Sequence, residues 1–598
     1  MLALRSLRLP RACARALHTF SLDSKGFPTL RARGSAFVDT TGAIADLLNY
    51  AEPGNAHRVF FSRPRKFGKS LTLSIAAEML AAGELPQGVA PWPGYAPVDV
   101  PALFGGLQVH QRLLAGDASL RGLLQRPHFV VKLGLGMAQS GADLKRSIIR
   151  GVASIARKAV GPAFASEVAA VETPGDALGM LLDAVPSSVP VALLVDEYDA
   201  AILQDVSKGR WGAADAGMEA LRSLAMATKC PNMGSRIERC LFTGVARFSR
   251  SFFSSSANNF ADLTCDPLLS RVLGFSAAEI RATFPKELER LAKGQGTDVS
   301  GAMQQLEHWY GGYCFDGAST CFYPFPVLSA LDAGSITQRE MEAARDSNWL
   351  GLSTGDLVLR LVEELQYSGA VKDAERSDIA DLEEQRVPAV PLLLQTGLLS
   401  VAPGQTPLQC RPPNEYARAS LQTMLVSAME DNDSVNPGLA LRGLHAALKQ
   451  RSPGAFAESV RALLLMLPAA LSESAELACK GKEYEAAYLR ASLACALLAT
   501  AQAGVQVDLE SGAIIVRFGG AAAWVVEVGV GGGSDAWLAQ AQVHGEAQPE
   551  QSVLCCAVVA SAEGSASTAC ATGDTPVQVT CKWSERVVAD EACTWRSV

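Results

Sequence analysis

A short apolar run, a basic turn and a helical pattern follow one another in residues 59–73, which read VFFSRPRKFGKSLTL. The usual phosphate-binding loop has the pattern G-x-x-x-x-G-K-[ST] between a strand and a helix. Gly68, Lys69 and Ser70 match the end of that pattern, whereas Arg63 stands at the first glycine position. Residues 53–77 contain no acid, although the whole chain has a net charge of −8. The segment predicts a phosphate loop at Arg63–Ser70, and the alternative is a solvated basic turn.

Each matched residue has a task in phosphate chemistry. Glycine at 68 lets backbone N–H groups face phosphate oxygens, and the ammonium of Lys69 suits the β and γ oxygens. The hydroxyl of Ser70 suits Mg²⁺, and the helix N-terminus adds a favourable dipole. The residues predicted to contact a nucleotide are Arg63, Pro64, Arg65, Lys66, Phe67, Gly68, Lys69, Ser70 and Leu71.

Two carboxylates follow the most apolar strand candidate of the chain, VALLV at residues 191–195. Asp196 at the end of such a strand is placed to hold Mg²⁺ directly or through water. Glu197 is placed to orient or deprotonate an attacking water. An acidic turn after a strand is common, but together with the G-K-S segment this pair predicts a P-loop NTPase site, with Ser70 and Asp196 as the metal ligands.

A third segment, LFTGVARFS at residues 241–249, supplies two further candidates. Thr243 at a strand end suits contact with a γ-phosphate, and Arg247 suits stabilisation of transition-state charge. The structural alternatives are a strand-end cap for Thr243 and a surface salt bridge for Arg247. Thr243, Arg247 and Glu197 are therefore the predicted catalytic residues.

Strand candidates alternate with helical patterns up to about residue 276, which indicates an α/β fold with a parallel sheet. A helical or winged-helix-like region is predicted next, and then a second, smaller α/β unit. The predicted divisions are a transit peptide or disordered tail at 1–30, the P-loop domain at 31–276, the helical region at 277–450, the small α/β domain at 470–560 and a weakly patterned tail at 561–598.

Four segments in this order, FSRPRKFGKSLTLS, LLVDEYDAAI, FTGVARFSRSFFSSSANNFADLT and WYGGYCFDG, resemble the AAA-ATPase-like family. Members of that family join a P-loop ATPase to a C-terminal PD-(D/E)XK nuclease-like domain. The resemblance implies ATP and Mg²⁺ as cofactors, and arginine at the position of Arg63 is typical of the family. It also places Asp39, in the segment FVDTTG, at an acidic position of the family.

The C-terminal part is similar to the nuclease fold but lacks residues that nuclease chemistry requires. Such a domain needs an acid on one strand and E-x-K on the next, because the acids hold a divalent metal and the lysine helps to activate water. In this alignment the acid falls on Ile515 and the lysine on Gly529, and only Glu527 remains. The sequence therefore predicts a nuclease-like domain without nuclease activity.

The net charge, the cysteine spacing and the N-terminal composition disfavour several classes of function. The net charge of −8 disfavours a general nucleic-acid coat, and the 14 cysteines show no C-x-x-C spacing, so no zinc or redox motif is indicated. Arginines without acids before Asp23 are typical of a mitochondrial or plastid transit peptide. We expect a soluble intracellular protein without a membrane span. A nucleotide-dependent switch or scaffold, a nucleic-acid or protein partner and oligomer formation stay open as alternatives to turnover.

Overall fold

The computed structural model describes residues 26–50, 57–85, 87–93, 95–247, 260–336, 389–401, 403, 410–420, 437–466, 493, 497, 505–510, 513–518, 522–530, 534–546, 552–562, 577–589 and 592–597. Of residues 1–30, predicted as a transit peptide or disordered tail, residues 1–25 lie outside this set. Among the described helices, none combines the length and the apolar character that crossing a bilayer requires.

Five parallel strands form the sheet of the N-terminal unit, namely β1 (Arg58–Ser62), β2 (Phe129–Gly134), β3 (Val191–Asp196), β4 (Ile237–Gly244) and β5 (Ala261–Asp262). Their order in the sheet is β2-β3-β4-β1-β5. The predicted α/β class with a parallel sheet is confirmed. Although β4 follows β1 and β3 in the sequence, it lies between them in the sheet, that is, between the strand before the predicted phosphate loop and the strand that ends at the two carboxylates.

Helices cover both faces of this sheet, which is why β1 and β3 are buried at every position. Val191, Leu193 and Val195 of β3 join one core cluster, whereas Ala192 and Leu194 join the other. Strand β2 lies at the sheet edge and alternates between buried and more exposed residues. The helices are α1 (Phe27–Ala32), α2 (Thr41–Leu48), α3 (Lys69–Leu80), α4 (Val100–Phe104), α5 (Gln108–Leu114), α6 (Ala118–Gln125), α7 (Gly141–Ala159), α8 (Pro162–Ala169), α9 (Pro174–Ala184), α10 (Ala200–Ser207), α11 (Trp211–Ala227), α12 (Pro231–Gly234) and α13 (Pro267–Val272).

A helical unit follows, as the sequence pattern predicts from residue 277. Its helices surround a short antiparallel hairpin of β6 (Tyr313–Cys314) and β7 (Thr320–Cys321). The winged-helix-like prediction depends largely on residues 337–388 and 421–436, which lie outside the described residues. The described elements are α14 (Ala277–Thr283), α15 (Pro285–Gly294), α16 (Val299–Tyr310), α17 (Pro324–Ala333), α18 (Ala389–Thr396), β8 (Ser400–Val401) and β9 (Cys410–Arg411).

The C-terminal unit is built on a six-stranded mixed sheet. Its strands are β10 (Val505–Glu510), β11 (Ala513–Phe518), β12 (Ala522–Val530), β13 (Ser552–Ala562), β14 (Val577–Ala589) and β15 (Ala592–Ser597), and its helices are α19 (Pro437–Gln450), α20 (Pro453–Met466) and α21 (Ser534–Glu546). Helix α21 connects β12 to β13, which run parallel. The weak sequence pattern of residues 561–598 does not predict β14 and β15. Strand β14 pairs along its length with β13 and β15, and the local composition does not record these pairings.

The two helices α19 and α20 belong with this C-terminal sheet. Phe456 of α20 packs edge-on against Trp524 of β12, with ring centroids 5.2 Å apart. Arg451 and Ser452 form the turn between the two helices, where the backbone N–H of Ser452 donates to the carbonyl of Ala447. The domain boundaries stay predictions.

Candidate functional site

The candidate phosphate loop, Arg63–Ser70, leaves the C-terminal end of β1 and enters α3 at Lys69. This is the strand–loop–helix context that the motif requires. Gly68 has φ 97°, in the left-handed region where a side chain is strained, and Lys66 is also left-handed with φ 60°. Glycine at 68 is therefore demanded by the backbone, and α3 begins there with its N–H groups facing the loop.

Lys69 occupies the inside of the candidate phosphate loop. Its side chain is buried, and Nζ donates to the carbonyl oxygens of Arg63 and Pro64 at 2.8 Å each. Burial lowers the pKa of the Lys69 ammonium to about 8, and the charges of Asp199 and Asp196 partly offset that effect. A desolvated ammonium in this position favours an anionic ligand.

Asp196 ends β3 at the same edge of the sheet. The residue is 7% exposed, and its Oδ1 has no hydrogen-bond partner within the described part of the chain. A buried carboxylate oxygen without a partner is costly unless a cation or a donor satisfies it. A buried oxygen of this kind suits a metal ligand, and that role of Asp196 stays a prediction.

Glu197 follows in an unusual backbone conformation, with φ 52°. Such a conformation costs about 1–3 kcal/mol in a residue other than glycine and is concentrated at functional sites. The carboxylate is exposed and leans over Gly136, where an added Cβ would meet its Oε2 at 1.6 Å. Glycine at 136 thus leaves the space that this carboxylate occupies.

Thr243 lies between the two motifs. It pairs in register with Asp196 of β3 on one side and with Phe61 of β1 on the other. Thr243 is buried, and its Oγ1 makes no hydrogen bond with any described residue. A buried hydroxyl without a described partner suits contact with a γ-phosphate at this position. That contact stays a prediction.

Arg247 is engaged elsewhere. Its Nη1 lies 3.2 Å from Oδ2 of Asp262 on β5, and its backbone N–H donates to Oε1 of Gln395 at 2.7 Å. The salt-bridge alternative therefore describes the observed position. Arg247 would have to leave Asp262 to stabilise transition-state charge, and that role stays a prediction.

The loop residues 63–67 turn largely toward the helical unit. Arg63 is 1% exposed, its Cζ lies 4.1 Å from the centroid of the Phe315 ring, and it donates to the carbonyl of Thr264. Burial lowers the pKa of Arg63 to about 10. The guanidinium that replaces the first glycine thus has a packing role here.

Sequence reasoning missed Tyr198 and Asp199, which complete the segment VDEYD. Oδ2 of the buried Asp199 accepts the backbone N–H of Val245 at 2.7 Å and also that of Ala246. The hydroxyl of Tyr198 donates to the carbonyl of Ala246 at 2.6 Å. Burial raises the pKa of Asp199 to about 6. Both side chains hold the segment that follows Thr243, and the acid three residues after Asp196 was the signal available in the sequence.

Asp39, the upstream acid of the family resemblance, has a local role. Its Oδ1 accepts the backbone N–H of Thr41 at 3.0 Å, and its Oδ2 accepts that of Gln108 at 2.7 Å. It therefore joins the start of α2 to α5.

The C-terminal positions singled out by the nuclease-like pattern lie on neighbouring strands. Ile515 of β11 pairs with Val525 of β12, and it is buried in a cluster with Ala541 and Cys555. Glu527 is buried two residues further along β12. The alternation of a strand places Val525 and Glu527 on one face. An apolar residue thus fills the position at which the pattern requires an acid.

Comparison with known proteins bears on the N-terminal unit. Residues 23–84, which include β1, the candidate phosphate loop and α3, match the family model described as Predicted AAA-ATPase. An uncharacterized protein in the vnfD 5′ region of Azotobacter chroococcum mcd 1 is 26% identical over 401 residues, which are 65% of this chain and 66% of that protein. The chain thus spans just under two thirds of that relative. No solved structure matches the chain. The family match supports the resemblance to the AAA-ATPase-like family.

Proposed function

We propose that the N-terminal unit binds ATP with Mg²⁺ and hydrolyses it at the C-terminal edge of the parallel sheet. The observation that carries the proposal is the convergence there of a buried ammonium, Lys69, with two buried oxygens that lack described partners, on Asp196 and Thr243. Polyphosphates need such a cationic loop, and a metal ion needs such oxygens. The Predicted AAA-ATPase family match supports adenine as the base.

The residues present fit a magnesium ion. Asp196 offers a buried oxygen without a described partner, and Ser70 offers a hydroxyl in the first turn of α3. We propose that these two residues hold the ion, which would neutralise charge on the phosphate oxygens. Lys69 and the N-terminus of α3 would bind the phosphates, Glu197 would orient or deprotonate the attacking water, and Thr243 would donate to the terminal phosphate.

Phosphate release by the purified chain tests the proposal, measured with ATP and with GTP and with and without DNA. Lys69→Ala should abolish nucleotide binding because it removes the buried ammonium. Lys145→Ala, on the exposed face of α7, is the matched control and should leave hydrolysis unchanged. Hydrolysis that continues undiminished in Lys69→Ala would remove Arg63–Ser70 from the site.

A nucleotide-dependent switch or scaffold with little turnover is the second candidate. The ion pair of Arg247 with Asp262 favours it, because the cation predicted for the transition state is committed elsewhere. The cellular phenotype of Glu197→Gln separates the two functions. A null phenotype indicates that turnover is needed, whereas an unchanged phenotype indicates a switch.

We also propose that the C-terminal unit lacks nuclease activity, since Ile515 and Gly529 stand where the pattern requires an acid and a lysine. Cleavage of DNA by the unmodified protein in Mg²⁺ or Mn²⁺ would contradict this. The double variant Ile515→Asp with Gly529→Lys tests the alignment, because gain of cleavage requires Glu527 to lie in the restored site. A nucleic-acid partner for the chain would be detected as salt-dependent DNA affinity.

A further inference from the structure

The candidate phosphate loop is anchored from outside by an aromatic hairpin, defined as residues 313–325. Phe67 sits at a variable position of the usual motif, yet it is 1% exposed and belongs to the core of the helical unit. Its ring stacks on Tyr323 with centroids 4.9 Å apart and planes 16° apart. It also meets Tyr313 edge-on at 5.2 Å. A loop residue is thus part of a neighbouring core.

Further contacts join the candidate phosphate loop to the aromatic hairpin. The hydroxyl of Tyr323 donates to the backbone carbonyl of Arg65 at 3.1 Å. Nζ of Lys66 lies 3.7 Å from the centroid of the Phe325 ring, and Arg63 lies over Phe315. The consecutive loop residues 65–67, together with Arg63, therefore contact the aromatic hairpin.

The aromatic hairpin is itself held in the helical unit. The backbone N–H of Tyr323 donates to the carbonyl of Tyr310 at the end of α16, at 2.8 Å. Phe322 pairs with Phe275 through two backbone hydrogen bonds. Surface loops are ordinarily mobile, and close-packed cores resist small displacements. Because Phe67 is packed in that core, a change in the shape of the candidate phosphate loop must move the hairpin or break these contacts.

We propose that Phe67 and Tyr323 are positioning residues, through which the aromatic hairpin sets the shape of the candidate phosphate loop and nucleotide binding is transmitted to the helical unit. This inference rests on the proposed nucleotide site. Coupling between two parts of a protein is reciprocal. Because the hairpin holds the loop in the shape that we propose binds nucleotide, we expect that loosening the hairpin contacts weakens nucleotide binding. Bound nucleotide must likewise alter the protection of the hairpin.

Two variants separate the contacts. Tyr323→Phe removes only the hydroxyl that donates to Arg65, and Phe67→Leu removes the ring stack but keeps an apolar side chain. Tyr416→Phe is the matched control, since the Tyr416 ring packs on Tyr323 at 5.8 Å. A fluorescent ATP analogue with Mg²⁺ measures affinity, and hydrogen exchange with and without ATP measures protection of residues 313–325.

We expect Tyr323→Phe to weaken analogue binding about fivefold, as one neutral hydrogen bond is worth, and Phe67→Leu to weaken it more. Both variants should lose at least half of the ATP-dependent change in exchange at 313–325, whereas Tyr416→Phe should keep it. Unchanged affinity and exchange in both variants would overturn the inference. If the unmodified protein binds no analogue, the proposed function fails first; if it binds without any exchange change at 313–325, only this inference fails.

Discussion

Gly136 offers the sharpest test of the position of Glu197. A Cβ at residue 136 would lie 1.6 Å from Oε2 of Glu197 and 2.8 Å from its Cδ, but 3.5 Å from its Cβ. Since carbon–oxygen contacts need about 3.5 Å, Gly136→Ala must move the carboxylate by about 2 Å while the backbone can stay. The moving group is the exposed end of a flexible side chain, so we expect little change in stability.

The expected effect is on turnover. A general base must lie within about 2.6–3.2 Å of the atom whose proton it removes, and a misplacement of about 1 Å can cost roughly 100-fold. Gly136→Ala should therefore lower kcat for ATP hydrolysis by about 100-fold and leave the Kd for nucleotide unchanged. Steady-state phosphate release and analogue binding measure the two quantities.

Gly134 provides the matched control, because a Cβ added there has no neighbour within 4 Å. Gly134→Ala should keep the kcat of the unmodified protein, and Glu197→Gln should lose at least as much as Gly136→Ala. Equal kcat in both alanine variants would refute the reasoning that the observed carboxylate position is the catalytic one.

Three further predictions concern buried groups. The pKa of Lys69 lies at about 8, so nucleotide affinity should weaken by up to about tenfold per pH unit above pH 8, and Lys69→Arg should remove this dependence in binding titrations. Burial raises the pKa of Asp199 to about 6. Protonated Asp199 therefore adds about 3 kcal/mol to the free energy of unfolding below about pH 4, and this contribution is lost as the pH rises through 6. The Tm of Asp199→Asn relative to the unmodified protein should accordingly be higher at pH 7.5 than at pH 4.5, and an equal difference at both values would contradict this. Thr243→Val removes a buried hydroxyl without a described partner, so it should keep or raise the Tm while lowering kcat about 10-fold to 100-fold; an unchanged kcat would exclude Thr243 from the site.

The sequence by itself determined the local elements of the site. The apolar runs predicted β1 and β3, because a strand covered by helices on both faces is buried along its length and has a continuous apolar run. Glycine at 68 indicated the tight turn into α3, and the paired acids after β3 indicated a polar sheet edge. These features depend on neighbours within a few residues, which a pattern in the chain can record.

Only the tertiary structure decided how these elements meet. The insertion of β4 between β1 and β3 brings Thr243 beside Asp196, and Asp199 then holds the backbone that follows. Phe67 looks like an ordinary loop residue until the aromatic hairpin, more than two hundred residues later, is packed on it. Strand order and packing partners are set by the burial of distant surfaces against one another, and no local pattern contains that information.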